Sequence, residues 1–214
     1  MAGLPTALFW RRLDTAGSEH VLYSDRAGLR AKGTMLAATP VPFACRYELY
    51  TDDAWATARF EVTVEGAGFL RSVRLERAAG RWRVTATEQG NLDAALLAAG
   101  HPRAALPGSE EPAKLVKALD VDLGFTPLTN TLPIQRLKLE PGESREIRAV
   151  YIELPQLSVS VMPQRYTRLG DRLYRYQSEG FQADLSVDEF GLVVDYPGLW
   201  RRLHIGKCTG AGRP

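Results

Sequence analysis

Two aspartates in the middle of the chain have the spacing best suited to chemistry. Asp120 and Asp122 are two residues apart, so an extended backbone directs both carboxylates to one face. Paired carboxylates on one face can split their pKa values and act as an acid and a base. The same pair can hold Arg136 or backbone amides in a buried network. Because no nucleophile or metal-binding pattern accompanies the pair, the sequence favours the network, and no catalytic residue is predicted.

The segment that follows combines hydroxyl and amide side chains with two prolines. Thr126, Thr129 and Asn130 can each hydrogen-bond to nearby backbone groups. The prolines remove amide donors and bias the residues before them towards extended conformations. This pattern predicts a stiff crossing that forms either a ligand site or a structural corner. A strand is expected after it, over residues 134–139.

Tyrosines are frequent in the second half of the chain. A tyrosine buries its ring while offering a hydroxyl, which suits a cavity that binds an amphiphile or a sugar ring. Strand propensity also enriches tyrosine, so the cluster fits an ordinary sheet as well. The tyrosines and their polar neighbours are Tyr151, Tyr166, Tyr174, Tyr176, Tyr196, Arg136, Gln164 and Arg175.

Most of the chain reads as short strands separated by Gly and Asp turns. In the clearest of them Phe60, Val62 and Val64 share one face. Such a succession predicts a meander, and a sheet of this many strands must curl to limit its exposed edges. The predicted fold class is mainly all-β: a many-stranded antiparallel roll or half-barrel. We expect one domain over 1–205, with β halves at 7–90 and 120–205, a helical insertion at 91–119 and a disordered tail at 206–214.

The insertion carries two helix-start signals. Asn91 can cap a helix that Gly100 ends, and Ser109 can cap a second helix. Two short amphipathic helices between the β halves can form a lid over the mouth of the curled sheet. They can equally cover one of its edges.

Composition restricts the partners. The 27 basic and 25 acidic side chains leave a net charge of +2, which gives no electrostatic case for binding nucleic acid. No apolar run approaches the roughly 20 residues that span a bilayer. The N-terminal charges follow the short apolar stretch, the reverse of a secretory signal, so a cytoplasmic location is expected.

The metal-ligating and thiol residues are scattered. His20, His101 and His204 are isolated in sequence, and no metal or other cofactor is predicted. Cys45 and Cys208 are expected to be free thiols, with Cys45 in the core. The chain also lacks a nucleophile elbow and a phosphate-binding Gly-rich loop.

The central motif, Asp-Val-Asp-Leu followed by Thr-Pro-Leu-Thr-Asn-Thr-Leu-Pro-Ile-Gln-Arg-Leu, resembles the signature of a bacterial family of uncharacterised proteins described as putative glycolipid-binding. Gly80-Arg-Trp82, Gln164-Arg-Tyr166 and Tyr196-Pro197 fit the same family. The resemblance implies a spiral β-roll with a cavity. The positions that it singles out are Asp120, Asp122, Thr126, Thr129, Asn130, Arg136, Gln164, Tyr166, Asp188 and Tyr196.

The function predicted is non-enzymatic binding of a small amphiphile, such as a glycolipid or an acyl compound. An apolar interior would hold the chains, while Asn130, Arg136 and tyrosine hydroxyls would orient the polar head. Tyr151 and Tyr174 join the motif positions as candidate ligand-binding residues. One alternative is a hydrolase or transferase acting on a glycolipid or small carboxylate, with the aspartate pair as acid and base. Another is a protein-interaction module that uses a sheet edge; oligomeric state has no sequence signal.

Overall fold

A computed structural model describes residues 6–109 and 111–203. The tail expected at 206–214, together with His204 and Cys208, lies outside this part of the chain. The strands of the described residues are β1 (Thr6–Arg12), β2 (Gly17–Ser24), β3 (Arg30–Ala37), β4 (Phe43–Thr51), β5 (Thr57–Gly66), β6 (Phe69–Ala78), β7 (Arg81–Gly90), β8 (Asp120–Leu123), β9 (Ser144–Ile152), β10 (Val159–Arg168), β11 (Leu173–Ser178), β12 (Phe181–Val187), β13 (Val193–Tyr196) and β14 (Trp200–Arg202).

All fourteen strands belong to one sheet, whose two edge strands are β7 and β8. Strand β1 lies in the middle of the sheet, and from there the chain meanders outward to an edge at β7. It then crosses to the opposite edge at β8 and meanders back until β14 pairs with β1. We call β1–β7 the first arm and β8–β14 the second arm. The predicted all-β roll is confirmed, although the parallel pair β8–β9 makes the sheet mixed.

The strands form because apolar residues alternate with polar ones and meet in a common core. In β3 every second residue is buried, and in β5 the predicted face of Phe60, Val62 and Val64 is buried. The core cluster includes residues of both arms, such as Trp10 and Leu75 from the first and Ile152 from the second. One core therefore joins the two halves.

Hydrogen bonds between distant segments show how far the sheet curls. Arg71 of β6 donates to the carbonyl oxygens of Ala105 and Gln156 at 2.7 and 2.9 Å. The amide of Thr57 donates to the carbonyl of Leu119 at 2.8 Å. These contacts bring β5 and β6 of the first arm against the connection between β7 and β8 and against the β9–β10 loop of the second arm.

The predicted first helix is present as α1 (Leu92–Ala98), capped by the Asn91 side chain through the amide of Ala94 at 3.0 Å. The predicted second helix is wrong in extent, because only a 3-10 turn forms over Pro112–Leu115. Beyond that turn the carbonyl of Ala118 accepts from the Trp82 indole. The next carbonyl, that of Leu119, accepts from the amide of Thr57 in β5. Tertiary partners therefore take the carbonyls that a longer helix would use.

The strand predicted at 134–139 is also wrong, since Thr131–Leu137 is the helix α2. Pro133 is the third residue of this helix, where an amide has no intrahelical acceptor, so the missing donor costs nothing. Lys138 ends the helix in the left-handed region with φ 46°, and its amide donates to the carbonyl of Ile134. Among the described residues no helix is long and apolar enough to cross a membrane.

Candidate functional site

The central segment folds as strand, turn and helix, and most of it is buried. After β8 the backbone turns at Phe125, which has φ 69° although it is not a glycine. Thr126 fixes the turn, since its hydroxyl oxygen accepts from the amide of Leu128 at 3.1 Å. A 3-10 turn over Leu128–Asn130 then leads into α2. Phe125 alone among residues 120–134 remains exposed.

Asp120 forms an ion pair with Arg136. The Nε and Nη2 atoms of Arg136 donate to the two carboxylate oxygens at 3.0 and 2.5 Å, and Asp120 is 1% exposed. Burial raises the pKa of Asp120, and the hydrogen bonds and charge of Arg136 oppose this rise. Both carboxylate oxygens are thus engaged by one cation, an arrangement that holds α2 against β8.

Asp122 forms no ion pair with any residue that the structure describes. Its Oδ1 accepts from the Thr129 hydroxyl at 3.0 Å, and its Oδ2 accepts from the Gln164 amide at 2.6 Å. Burial raises the pKa of Asp122, and the charge of Asp120 raises it further. The two hydrogen bonds oppose this rise. A carboxylate has about four acceptor positions, so Asp122 keeps capacity for donors from a ligand. The two aspartates therefore have separate partners and do not form an isolated acid–base pair.

A cavity of about 320 Å³ lies beside Asp122, between the 124–130 turn and the second arm. It contains Phe125 and Phe181, which are 38% and 40% exposed, so it reaches the surface. Five predicted site residues line it: Asp122, Thr126, Asn130, Tyr151 and Tyr196. Further aromatic walls come from Tyr176 and Trp200.

The tyrosines of this region form a connected aromatic wall. Ring centroids are 5.3 Å apart between Tyr166 and Tyr176, 6.0 Å between Tyr176 and Phe181, and 6.2 Å between Phe181 and Tyr196. The Tyr166 hydroxyl donates to Oδ1 of Asn130 at 3.0 Å, which fixes the orientation of that amide. Tyr166 therefore acts behind the cavity wall.

Burial and the charge of Asp122 also act on the cavity tyrosines. They raise the pKa of Tyr151 to about 12, with burial the larger cause. They raise the pKa of Tyr196 as well. Both hydroxyls are therefore protonated near neutral pH and can donate to a ligand.

The structure separates the other predicted site residues from the cavity. Arg136 and Gln164 line a different groove of about 650 Å³, which also contains Lys117 and Arg148. Thr129 lies behind Asp122 as its hydrogen-bond donor. Arg136 and Asn130 were predicted to orient one polar head, but they line different surfaces of the fold.

Tyr174 and Asp188 lie at a third place on the second arm, around a surface pocket of about 450 Å³. Asp188 shapes a turn, since its Oδ1 accepts from the amides of Phe190 and Leu192 at 2.9 and 3.0 Å. Its Oδ2 accepts from Arg202 at 2.6 Å. These contacts account for Asp188 as a structural residue.

Sequence reasoning missed a buried glutamate beneath the site. Glu19 is fully buried and accepts from the Thr126 hydroxyl at 2.7 and 2.9 Å and from the Tyr47 hydroxyl. Burial raises its pKa to about 7, against these hydrogen bonds. The Tyr47 ring lies where a side chain on Gly33 would be, with 2.1 Å between an added Cβ and the ring. Strand alternation was the available signal, because Glu19 shares its face with Val21.

Arg12 was missed in the same way. Leu8, Trp10 and Arg12 occupy alternate positions of β1, and all three are buried. The Arg12 guanidinium lies 4.1 Å from the Phe125 ring centroid and 5.8 Å from that of Trp200. Its Nε and Nη2 donate to Asp14 at 2.7 and 2.8 Å. Arg12 and Asp14 both line the cavity.

Comparison with known proteins identifies the family of the chain. Residues 7–202 match the profile of a family described as "Putative glycolipid-binding". The chain belongs to this family. Its fold is similar to the crystal structure of a DUF1089 family protein from Pseudomonas aeruginosa, with 30% identity, a TM-score of 0.67, and 95% of this chain and 97% of that chain covered. No curated protein matches the sequence. Within 6–109 and 111–203, no group of three or more His, Cys, Asp or Glu residues is placed to hold a metal ion.

Proposed function

We propose that the protein binds the sugar headgroup of a glycolipid, or of a similar amphiphile, in the cavity beside Asp122. The observation that carries the proposal is the composition of the cavity wall. Aromatic rings from Tyr151, Tyr176 and Tyr196 meet hydrogen-bonding groups from Asp122 and Asn130 in one cavity. The family description supports the same ligand class.

Size limits which part of an amphiphile enters. Ligand pockets range from about 300 to 1,000 Å³, and this cavity, at about 320 Å³, is at the lower end. It is suited to a headgroup rather than to a whole lipid. The alkyl chain would lie along the exposed rings of Phe125 and Phe181 at the rim, which remove apolar surface from water when a chain covers them.

Polar groups on the wall match a sugar in kind. Asp122 accepts hydrogen bonds from hydroxyl groups, and the hydroxyls of Tyr151 and Tyr196 donate or accept them. Asn130 is held in one orientation by Tyr166, which keeps its amide preorganised for the ligand. Buried groups of this kind reject a ligand that leaves them unpaired, and this favours polyhydroxy compounds over plain acyl chains.

The test compares octyl β-glucoside with an octyl ethylene-glycol ether, both below the concentrations at which they form micelles. Isothermal titration calorimetry should detect tighter binding of the glucoside, because the two ligands share the chain and differ in the sugar. Equal affinity for the two ligands would mean that the protein recognises only the alkyl chain and not the sugar. Absence of binding by every octyl glycoside tested would contradict the proposal.

A pair of variants locates the site. Tyr196→Phe removes a hydroxyl from the cavity and should weaken glucoside binding by about two- to tenfold, the range for one net hydrogen bond. Tyr174→Phe removes a hydroxyl from an equally buried ring at the separate surface pocket. It should leave the affinity unchanged. The opposite result would move the site to that pocket.

A further inference from the structure

Arg12 has hydrogen-bonding capacity that the fold leaves unused. Its side chain is 4% exposed, and its Nη1 is buried without a hydrogen-bond partner among the described residues. An unsatisfied buried donor costs about 1–3 kcal/mol, and more on a charged group. Such a group in a native fold requires an explanation, and a ligand that supplies the missing acceptor is one.

The surroundings hold the guanidinium in place. Asp14 engages Nε and Nη2, while the rings of Phe125 and Trp200 pack against the guanidinium. Phe125 does so from a backbone with φ 69°, a region that aromatic residues rarely adopt. Four features therefore converge on one fixed cation: the bidentate carboxylate, the two rings and the strained turn. Arg12, Asp14, Phe125 and Trp200 all line the cavity.

The charges around the cavity restrict the ligand further. Asp14 compensates part of the charge of Arg12, but its side chain is 35% exposed and is screened by water. Asp122 on the same cavity repels an anionic group that approaches it, although it accepts hydrogen bonds from hydroxyl groups. The two conditions are met together by a ligand that carries hydroxyls on one part and an anionic group on another.

We propose that Arg12 is an anion-binding residue, and that the headgroup bound in the cavity is an acidic sugar, with its phosphate or carboxylate oxygen accepting from Nη1. This inference rests on the proposed function and assigns the chemical class of its ligand. A charge-assisted bond of this kind, formed away from water, contributes more than a neutral one. We expect about a tenfold or larger preference for the acidic ligand.

Octyl β-glucuronide and octyl β-glucoside provide the test, since they differ only in a carboxylate in place of a hydroxymethyl group. Calorimetry on the wild-type protein should give at least about tenfold tighter binding of the glucuronide. Equal affinities, or tighter binding of the glucoside, would overturn the anion site while the proposed function stands. If neither octyl glycoside bound but octyl phosphate did, sugar recognition would be wrong and the anion site retained. Binding of none of the three would overturn both.

Variants assign the preference to Arg12. Arg12→Gln should reduce the glucuronide-to-glucoside ratio to about one, and Arg12→Lys should retain part of it because the charge remains. Arg71→Gln is the matched control, since Arg71 is equally buried at 3% side-chain exposure and paired with Glu88, but lies outside the cavity. It should leave the ratio unchanged. An unchanged ratio in a folded Arg12→Gln protein would refute the assignment.

Competition separates a lipid headgroup from a free anion. Inorganic phosphate and glucuronic acid without the alkyl chain are titrated against bound octyl glucuronide. Displacement only at concentrations far above those of the octyl ligand supports an amphiphile as the natural ligand. Displacement by inorganic phosphate at equal concentration would overturn the lipid source and make a free anion the ligand. Because these titrations use the wild-type chain, they hold even if Arg12 variants fail to fold.

Discussion

Glu19 in the first arm of the sheet and Asp120 in the second are buried carboxylates with different kinds of partner. In the first arm Glu19 is surrounded by hydroxyls, from Tyr47 and Thr126, and burial raises its pKa to about 7. In the second arm Asp120 is just as inaccessible, but Arg136 binds both of its oxygens. Burial raises the pKa of Glu19 more than its two hydroxyl donors lower it, whereas the charge and hydrogen bonds of Arg136 favour the ionised form of Asp120. Glu19 and Asp120 should therefore respond differently to mutation and to pH.

The largest effect is expected at the ion pair of the second arm. Asp120→Asn leaves Arg136, whose side chain is only 16% exposed, without its counter-charge, and breaking a buried ion pair typically costs about 3–5 kcal/mol of unfolding free energy. The double variant Asp120→Leu/Arg136→Met removes both charges and should be close to the wild type. Denaturant unfolding at pH 7 measures all three proteins.

The exposed pair Arg175–Asp184 is the control, with about two fifths of each side chain in contact with solvent. Asp184→Asn should change the stability by less than about 1 kcal/mol. A similar loss in Asp120→Asn and Asp184→Asn would mean that burial does not distinguish the two pairs.

The next effect concerns Glu19 and depends on pH. Its pKa is about 7 in the folded chain and 4.5 in an unperturbed carboxyl, so the folded state binds more protons between these values. Unfolding free energy contributed by this group therefore falls as the pH rises through that window, by about 3 kcal/mol in total. Glu19→Gln keeps a neutral side chain, and we expect it to be near wild-type stability at pH 4 and more stable at pH 8.

Glu48→Gln gives the opposite sign as a control. Hydrogen bonds from Lys32 and Tyr50 lower the pKa of Glu48, so its contribution is present above its unfolded pKa and is lost on acidification. Compared with the wild type, this variant should therefore be destabilised more at pH 8 than at pH 4. A Glu19→Gln protein with the same pH dependence as the wild type would show that Glu19 is already ionised in the fold.

A smaller effect is expected where Tyr47 crosses the strand to reach Glu19. An alanine at Gly33 would place its Cβ 2.1 Å from the ring, so Tyr47 must shift and its bond to Glu19 must loosen. We expect a loss of about 1–3 kcal/mol, the usual cost of overpacking a core. Gly170→Ala, where an added Cβ meets nothing within 4 Å, should leave the unfolding free energy nearly unchanged. Equal stability of both variants would mean that the ring relaxes freely.

The smallest effect tests the connection between the arms. Asn91→Ala removes the cap of α1 and should cost about 1 kcal/mol, while Asn91→Asp keeps an acceptor for the amide of Ala94 and should cost less. Leu92 and Leu96 anchor this helix in the core, so the loss should appear in the same unfolding transition as the arms. A separate early transition would show that the connection unfolds independently.

Much of the fold could be predicted because alternation along a strand decides which face is buried. Phe60, Val62 and Val64 followed this rule. The start of α1 was predicted from a different local signal, the capping side chain of Asn91. Applied without regard to polarity, the rule also places Glu19 beside Val21 and Arg12 beside Trp10 on the buried face. The sequence contained both residues as signals, but a buried charge contradicts the usual expectation for Glu and Arg.

The central segment could not be predicted in the same way. Its prolines fit both an extended crossing and the first turn of a helix, and packing of Leu132 and Ile134 into the core decided for the helix. Likewise the spacing of Asp120 and Asp122 fixed a common strand but not their partners. Arg136 lies 16 residues from Asp120, and Gln164 lies 42 residues from Asp122.

The sequence by itself determined most of the strands, their buried faces and the membership in a family, because these depend on local periodicity and on motifs read directly from the chain. Only the tertiary structure decided which polar residues share a cavity. It placed Asp122, Asn130 and Tyr196 with Arg12, and it turned Arg136 and Tyr174 to other surfaces. The reason is that β14 pairs with β1, and this pairing brings residues nearly two hundred positions apart into contact.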